Sequence, residues 1–351
     1  MGETISNEDD GVPYDSLLIV SFGGPEGEAD VLPFLENVLR GRNVPQERML
    51  EVAEHYYQFE GRSPINAQNR ELVKALETAF AAQGPQVPIY WGNRNWHPLL
   101  ADTIRQSRDD GMRRSLAFVT SAYSSYSGCR QYQENMIQAR EEVGKDAPRI
   151  EKLRAFYNHP GFIGPMIERV QQALAEISLE RRKATKIFYT AHSLPTSMAD
   201  HCDYVAQLSE ACQLVSTALS LENDKLVYQS RSGPASQSWL APDICDAIRE
   251  AHRAENLQDL VVVPIGFVSD HMEVLFDLDT EARALCEQLG IQMVRAGTVG
   301  THPDFVTMIR KLILERTAGA PREVLGQSGP RPNDCPLDCC PAPRMSQSKN
   351  G

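Results

Sequence analysis

Several things are scarce in this 351-residue chain. No apolar run approaches the roughly 18 residues that a membrane-spanning helix needs, so the sequence predicts no stable membrane insertion. Positive charge is short: 35 Lys and Arg face 47 Asp and Glu, a formal net charge of -12. That field repels a polyanion, which argues against nucleic acid as a partner. A targeting leader is also missing from expectation. The opening MGETISNEDDGV has neither a basic cluster nor an apolar stretch, the reverse of a secretory signal or presequence. These features predict a cytoplasmic protein. The eight cysteines form no disulfide framework in such a setting and read first as thiols or metal ligands. Cys129, Cys202, Cys212, Cys245 and Cys286 stand singly, whereas Cys335, Cys339 and Cys340 crowd into the tail.

What is present is the pattern of a soluble globular chain, with 42% hydrophobic and 23% charged residues. Short apolar runs such as Tyr14 to Phe22, Lys186 to Ala191 and Leu260 to Phe267 predict buried strands. Between them, helical patterning covers Gln46 to Phe59, Ile65 to Ala82, Tyr204 to Leu219, Pro242 to Arg253, Thr280 to Leu289 and Asp304 to Leu314. Strands alternating with helices make parallel sheets flanked by helices, an α/β fold. The alternation runs through both halves, so two similar domains are expected at 13–160 and 161–317 with a cleft between them. A disordered amino-terminus at 1–12 and an irregular, Cys-containing tail at 318–351 would flank them.

In such sheets ligands sit beyond the carboxyl ends of strands, and three strand ends are rich in chemistry. The first is Thr190-Ala191-His192-Ser193-Leu194-Pro195. An imidazole there can hold a proton or a metal near neutral pH, although a histidine bonded to the backbone would look the same. The second runs from Gly266 to Leu275 and gathers Asp270, His271 and Glu273. Their pKa values are open to burial and crowding, yet the acids could equally cap a helix. The third, Ser121 to Cys129 with Tyr132 beyond, holds Tyr123 among hydroxyls that suit a flat ligand with polar edges. It could also be a plain surface loop. Imidazole and carboxylate meeting across a cleft would suit divalent metal delivery coupled to proton removal.

Together these stretches resemble the ferrochelatase family. The likeness is carried by Ser21-Phe22-Gly23-Gly24-Pro25, Arg40-Gly41-Arg42, Gly61-Arg62-Ser63-Pro64-Ile65 and Trp91-Gly92-Asn93-Arg94-Asn95-Trp96. It continues in His192-Ser193-Leu194-Pro195, in Gln229-Ser230-Arg231-Ser232-Gly233-Pro234 with Trp239-Leu240, and in Gly266 through Glu273. It runs from about Tyr14 to Leu314. The resemblance implies a chelatase fold of two Rossmann-like domains around a porphyrin cleft, with Fe2+ and porphyrin as substrates of haem biosynthesis. It also implies contact with neighbouring enzymes of that pathway. It makes His192 and Glu273 the metal-site pair, with Asp270 and His271 in support, and sets Phe22, Tyr56, Ser63 and Tyr132 against the macrocycle. Some members carry a metal-ligating tyrosine at the Phe22 position; a phenyl ring cannot ligate.

Insertion then needs a puckered macrocycle and a base with a pKa near 7, the part expected of His192, while Glu273 and Asp270 pass protons out or iron in. Some members hold a 2Fe-2S cluster on one internal and three carboxyl-terminal cysteines, matched in number here by Cys129, Cys335, Cys339 and Cys340. The spacing of the tail cysteines departs from the family's, and thiols on an irregular tail are the alternative. Protoporphyrin IX is the expected porphyrin, coproporphyrin III the alternative, because the Ser-Phe-Gly-Gly-Pro start and internal cysteine resemble actinobacterial members. Two further readings are a chelatase for sirohydrochlorin and a non-catalytic porphyrin carrier. The carrier needs no proton path, so His192, Asp270 and Glu273 together speak against it.

Overall fold

A computed structural model describes residues 13–41, 44–233, 236–336 and 338–342. The acidic amino-terminus at 1–12, Arg42 and Pro234 of the motifs above, and the end of the tail lie outside the described residues.

The run SLLIVS, Ser16–Ser21 (β1), is buried at every residue, as a strand covered on both faces requires. Beside it lie Ile89–Asn93 (β2), Arg114–Val119 (β3) and Arg149–Lys152 (β4), all parallel, in the order β2-β1-β3-β4. The second half repeats this arrangement. Lys186–His192 (β5), Asp224–Gln229 (β6), Asp259–Val263 (β7) and Gln292–Arg295 (β8) form a parallel sheet in the order β6-β5-β7-β8. In each sheet the chain leaves the first strand to one side and returns to the other. The gap left at that reversal, beyond the carboxyl ends, is where open α/β sheets bind ligands. In the second sheet it falls at His192 and at the loop that follows β7.

One apolar cluster joins the two sheets. It takes Leu17 and Ile19 from β1, Phe118 from β3, Ile187 and Tyr189 from β5, and Val261 and Val263 from β7. The last helix, Pro303–Thr317, returns from the second sheet to pack on helices Pro160–Ala175 and Ile65–Gln83. No helix among the described residues is long and apolar enough to cross a membrane.

Observed elements follow the expected order, with ends shifted by a few residues. The larger difference comes after Glu273. Instead of a helix beginning at Thr280, the chain coils as a π-helix over Val274–Ala282 and only then as an α-helix over Arg283–Leu289. Apolar periodicity cannot separate these windings over two turns. Turns of π-helix are rare and gather at functional sites; a second spans Tyr126–Arg130.

The described part of the tail has no helix or strand, yet its path is held. Leu325 N–H donates to the Asn158 carbonyl at 2.8 Å, and Gln327 and Ser328 N–H donate to Glu210 Oε1 at 2.9 and 3.1 Å. The other oxygen of Glu210 accepts from Tyr157 OH at 2.6 Å. Arg331 pairs with Asp203 at 2.7 Å.

The deepest ion pair ties the last helix to the first lobe. Arg154 donates from Nε and Nη2 to both oxygens of Glu315, at 2.7 and 2.9 Å, and each side chain is only 1% exposed. Removing one partner leaves a bare buried charge. Glu315→Ala is therefore expected to lower unfolding free energy by about 3–5 kcal/mol in urea titrations, while Arg154→Met with Glu315→Leu costs much less. A single-variant loss below about 1 kcal/mol would mean that water reaches the guanidinium.

Candidate active site

His192 is the last residue of β5, and the chain beyond it is anchored rather than loose. Ser193 N–H donates to the Gln229 carbonyl at 2.8 Å and its hydroxyl to the Leu240 carbonyl at 2.8 Å, so the His-Ser-Leu-Pro stretch lies on Trp239-Leu240. The imidazole Nδ1 sits 2.5 Å from the Ser193 carbonyl and donates to it. Tyr204 OH holds the His192 carbonyl at 3.1 Å. With Nδ1 occupied, the ring presents Nε2 to whatever lies opposite.

Opposite lies Glu273, with its Oε1 3.4 Å from Nε2. The loop after β7 brings it there. Gly266 N–H donates to the Thr190 carbonyl at 3.0 Å, and a Cβ on Gly266 would stand 2.7 Å from Ala191. Only glycine lets the loop run this close to β5. His192 and Glu273 keep 32% and 40% of their side-chain surface open, so a ligand can reach them.

Burial alone would lower the His192 pKa. The facing Glu273 carboxylate, aided by the Ser193 carbonyl and Asp277, reverses this and raises it to about 9. Burial likewise works to raise Glu273, but the His192 cation, with His271 behind it, holds it down at about 2. At neutral pH the pair is imidazolium and carboxylate. The expectation of a histidine poised near 7 is therefore corrected: without a ligand, His192 already carries its proton.

The group that does titrate there is Asp277, one turn beyond Glu273. Burial lifts it to about 7 against a hydrogen bond from Ser230, and the charges of Glu273 and Glu281 add to the lift. Gln229 Nε2 donates to the Glu273 carbonyl at 2.9 Å and lies 3.4 Å from Asp277. Sequence reasoning missed Asp277. Its signal was the four-residue spacing Glu273, Asp277, Glu281, visible only once the segment is known to be helical.

His271 stands beside Glu273, accepting its N–H at Nδ1 over 3.2 Å, with its ring edge-on to Phe267 at 4.8 Å. Burial and the His192 cation lower its pKa. Asp270 is held differently from expectation. Its carboxylate faces Arg295 at 3.2 Å and its N–H donates to Gln68 at 2.9 Å, so its nearest charged partner is Arg295.

The first lobe supplies an aromatic cluster. Phe22, Phe34, Tyr56 and Trp96 pack edge to face, with Phe34 5.7 to 6.4 Å from each of the other three. Arg94 lies over the rings of Tyr132 at 4.5 Å and Phe22 at 5.7 Å, and its Nε donates to Asn135. Burial first, and then the Glu273 charge, raises the Tyr56 phenol; burial and Glu273 also raise Tyr132, against Arg94. Both phenols therefore lie within electrostatic reach of Glu273. His55 stacks on Phe276 of the π-helix at 3.7 Å, tying this lobe to the segment that carries Glu273.

Two expected residues lie elsewhere. Tyr123 is 2% exposed, and its hydroxyl donates to the Ile265 carbonyl at 2.9 Å inside the shared core. Ser63 is buried under the Gly23-Gly24 loop, its N–H donating to the Pro25 carbonyl at 2.9 Å. The hydroxyl-rich loop suggested a ligand wall for Tyr123, whose hydroxyl the protein itself uses, and the family resemblance suggested one for Ser63, which the Gly23-Gly24 loop covers. In the tail, the Cys339 and Cys340 sulfurs are 3.6 Å apart. Burial raises the Cys335 and Cys340 thiols, and Cys339 and Cys129 raise both further. Among the described residues, no three His, Cys, Asp or Glu groups surround a single metal position.

Comparison with known proteins comes out on one side. The family model described as Ferrochelatase matches residues 14–317. A Rhodopirellula baltica protein named Ferrochelatase is 60% identical, covering 93% of each chain. A Streptomyces coelicolor protein named Coproporphyrin III ferrochelatase is 50% identical over 95% of each. Among solved structures, SirB from Bacillus subtilis with Fe3+ superposes with a TM-score of 0.54, 11% identity and coverage of 87% and 96%, which shows likeness of fold.

The pair's electrostatics can be measured. Glu273→Gln removes the principal charge raising His192, so its pKa is expected to drop from about 9 to the usual imidazole value of about 6.5 or below. An NMR titration of the ring would show it; a value still near 9 would assign the shift to Ser193 and Asp277. The raised His192 pKa also sets a pH window for stability. Its contribution is full below the unfolded imidazole pKa and is lost as pH rises through about 9. That of Glu273 is present above the ordinary carboxylate range and is lost as pH falls toward about 2.

Proposed function

The chain belongs to the ferrochelatase family, and from that premise we propose that it inserts Fe2+ into coproporphyrin III at the His192–Glu273 pair. It is an enzyme of haem biosynthesis, a metal chelatase, which removes the porphyrin carrier from consideration. The observation carrying the reading is the solvent-reachable imidazolium–carboxylate pair, and an aromatic cluster of the first lobe, whose Tyr56 feels the Glu273 charge, supports it. That cluster offers faces for a flat macrocycle. Arg94, which pairs with no described acid, is available to a propionate carboxylate at its rim.

The porphyrin is the finer point. Protoporphyrin IX stood first on sequence. The named relatives shift the balance: the Streptomyces coelicolor and Streptomyces griseus proteins, 50% and 48% identical, both carry the name Coproporphyrin III ferrochelatase. The Rhodopirellula baltica name does not specify a porphyrin. Coproporphyrin III has more propionates than protoporphyrin IX, so a cationic rim favours it. A cytoplasmic site of action goes with this reading, supported by the acidic composition and the free thiols.

The chemistry releases two protons from the pyrrole nitrogens; their electron pairs stay on nitrogen and bind the metal. In the reading proposed, Fe2+ approaches along the acidic face of Glu281, Asp277 and Glu273. Its charge makes the imidazolium a stronger acid, and the His192 proton passes by way of Glu273 to Asp277, whose pKa of about 7 suits release to water. Neutral His192 then takes one pyrrole proton, passes it on to water by the same route, and takes the second in turn. Phe22 offers no ligand on the opposite face, so the metal is met from the His192 side alone. Strain on the macrocycle would be supplied by the remote ring contacts.

His192→Ala is expected to cut insertion by about 10²–10⁴-fold while porphyrin binding, followed by fluorescence quenching, stays nearly intact. Wild-type turnover in that variant would remove the assignment. Coproporphyrin III is expected to exceed protoporphyrin IX in kcat/KM by about tenfold, the worth of one added contact of about 1.4 kcal/mol. Equal or reversed values would return protoporphyrin IX to first place.

We propose further that Cys129, Cys335, Cys339 and Cys340 would supply the thiolates of a 2Fe-2S cluster, a reading supported by their number and by the 3.6 Å between the Cys339 and Cys340 sulfurs. Such a cluster asks only two thiolates of each iron, so it needs pairs of sulfurs rather than three around one point. When bound it would cross-link the tail to the π-helical turn that carries Cys129. Purified protein should then show visible sulfide-to-iron absorption without added haem, lost in Cys129→Ser. A colourless, iron-free protein from anaerobic purification would leave the cysteines as plain thiols.

A further inference from the structure

Arg295 ends β8, at the edge of the second sheet, and its guanidinium lies between two carboxylates. Nε donates to both oxygens of Asp279, at 2.8 and 2.9 Å. Nη1 and Nη2 face the two oxygens of Asp270, at 3.2 and 3.4 Å. Arg295 keeps only 15% of its side-chain surface exposed, and the two acids 25% and 23%. Asp270 and Asp279 bracket the segment that carries His271, Glu273 and Asp277.

We infer that Arg295 is a positioning residue for metal insertion, stapling both ends of this segment to β8 so that Glu273 is held against His192. The inference rests on the function proposed above. Other contacts each hold one point of the segment: Gln229 at the end of β6 meets the Glu273 carbonyl, Ser230 meets Asp277, Gln68 takes the Asp270 N–H and His55 stacks on Phe276, whereas Arg295 reaches both of its ends. The π-helix beginning at Val274 has no side-chain cap. Asp279 has a second cation in Arg283 at 3.3 Å, whereas Asp270 has no other cation among the described residues. Without Arg295 the Asp270 carboxylate is left beside His271, able to compete with Glu273 for the histidine side of the site.

The geometry also requires arginine. A guanidinium presents its donors in a rigid planar fork and can serve two carboxylates at once; an ammonium supplies a point charge on a flexible stem. Arg295→Lys therefore preserves charge while losing the bridge, which separates positioning from neutralisation.

The experiment measures kcat and the KM values for Fe2+ and porphyrin, anaerobically, in full-length Arg295→Lys and Arg295→Ala, beside thermal unfolding and porphyrin binding. Expected for Arg295→Lys is a melting temperature and porphyrin affinity close to wild type, with kcat down by about 10–100-fold, as loss of alignment by about 1 Å would give. Added guanidinium at millimolar concentration should recover part of the activity of Arg295→Ala and none of that of Arg295→Lys. Wild-type kcat in Arg295→Lys, or losses that only track the folded fraction, would overturn the inference. Should Arg295→Ala not fold, the lysine variant decides alone. His192→Ala in the same assay separates the two levels: if it still turns over, the proposed function fails, and if it is dead while Arg295→Lys is unimpaired, only the positioning role fails.

Discussion

Parallel pairing of β5 with β7 is the constraint on which the site depends. Their register, from Lys186 opposite Leu260 to Tyr189 opposite Val263, leaves β5 projecting beyond its neighbour. The chain leaving β7 must then run alongside the overhang, and Gly266 permits it to do so at contact distance. An imidazole from one crossover unit and a carboxylate from the next meet as a consequence. β7 is buried throughout and β5 between its two end residues, so the polar end is positioned by the apolar part of the sheet.

Proton traffic follows from the balance of burial and pairing. Each ionisable group near His192 is subject to the same desolvation, and neighbours decide which way it moves. His192 gains a carboxylate and goes up; Glu273 gains two imidazoles and goes down; Asp277 gains mainly other carboxylates and goes up. One group at the end of β5 and two on the segment after β7 are thus spread across the pH scale. The first lobe adds aromatic surface, the Arg94 cation and the His55 ring stacked on Phe276.

How much of this could be read in the sequence depended on the range of the interaction involved. Strand ends are local features, and both His192 and Glu273 were legible from them, as was the alternation that gives two parallel sheets. The identity of a partner is not local. Asp270 looked like a companion to Glu273 because nothing in its own segment points to Arg295, which arrives from an edge strand. Tyr123 sits in a hydroxyl-rich loop that suits a ligand wall, but its fate was set by the Ile265 carbonyl across the molecule. Asp277 was hidden by the winding of the helix, since a π turn and an α turn carry the same apolar stripe over so short a stretch. The stack of His55 on Phe276 joins two segments with no shared pattern at all.

The tail is held chiefly through its main chain. Glu210 takes the amide hydrogens of Gln327 and Ser328, and Asn158 engages the backbone at Leu325 and Gly329. Recognition of that kind is indifferent to side-chain identity, so most of this stretch is free to drift without losing its route. Gly326 is the exception: its φ of +78° and its position against Glu210 leave no room for a Cβ. A segment that looks like low-information spacer in composition is therefore a fixed path with one obligatory residue.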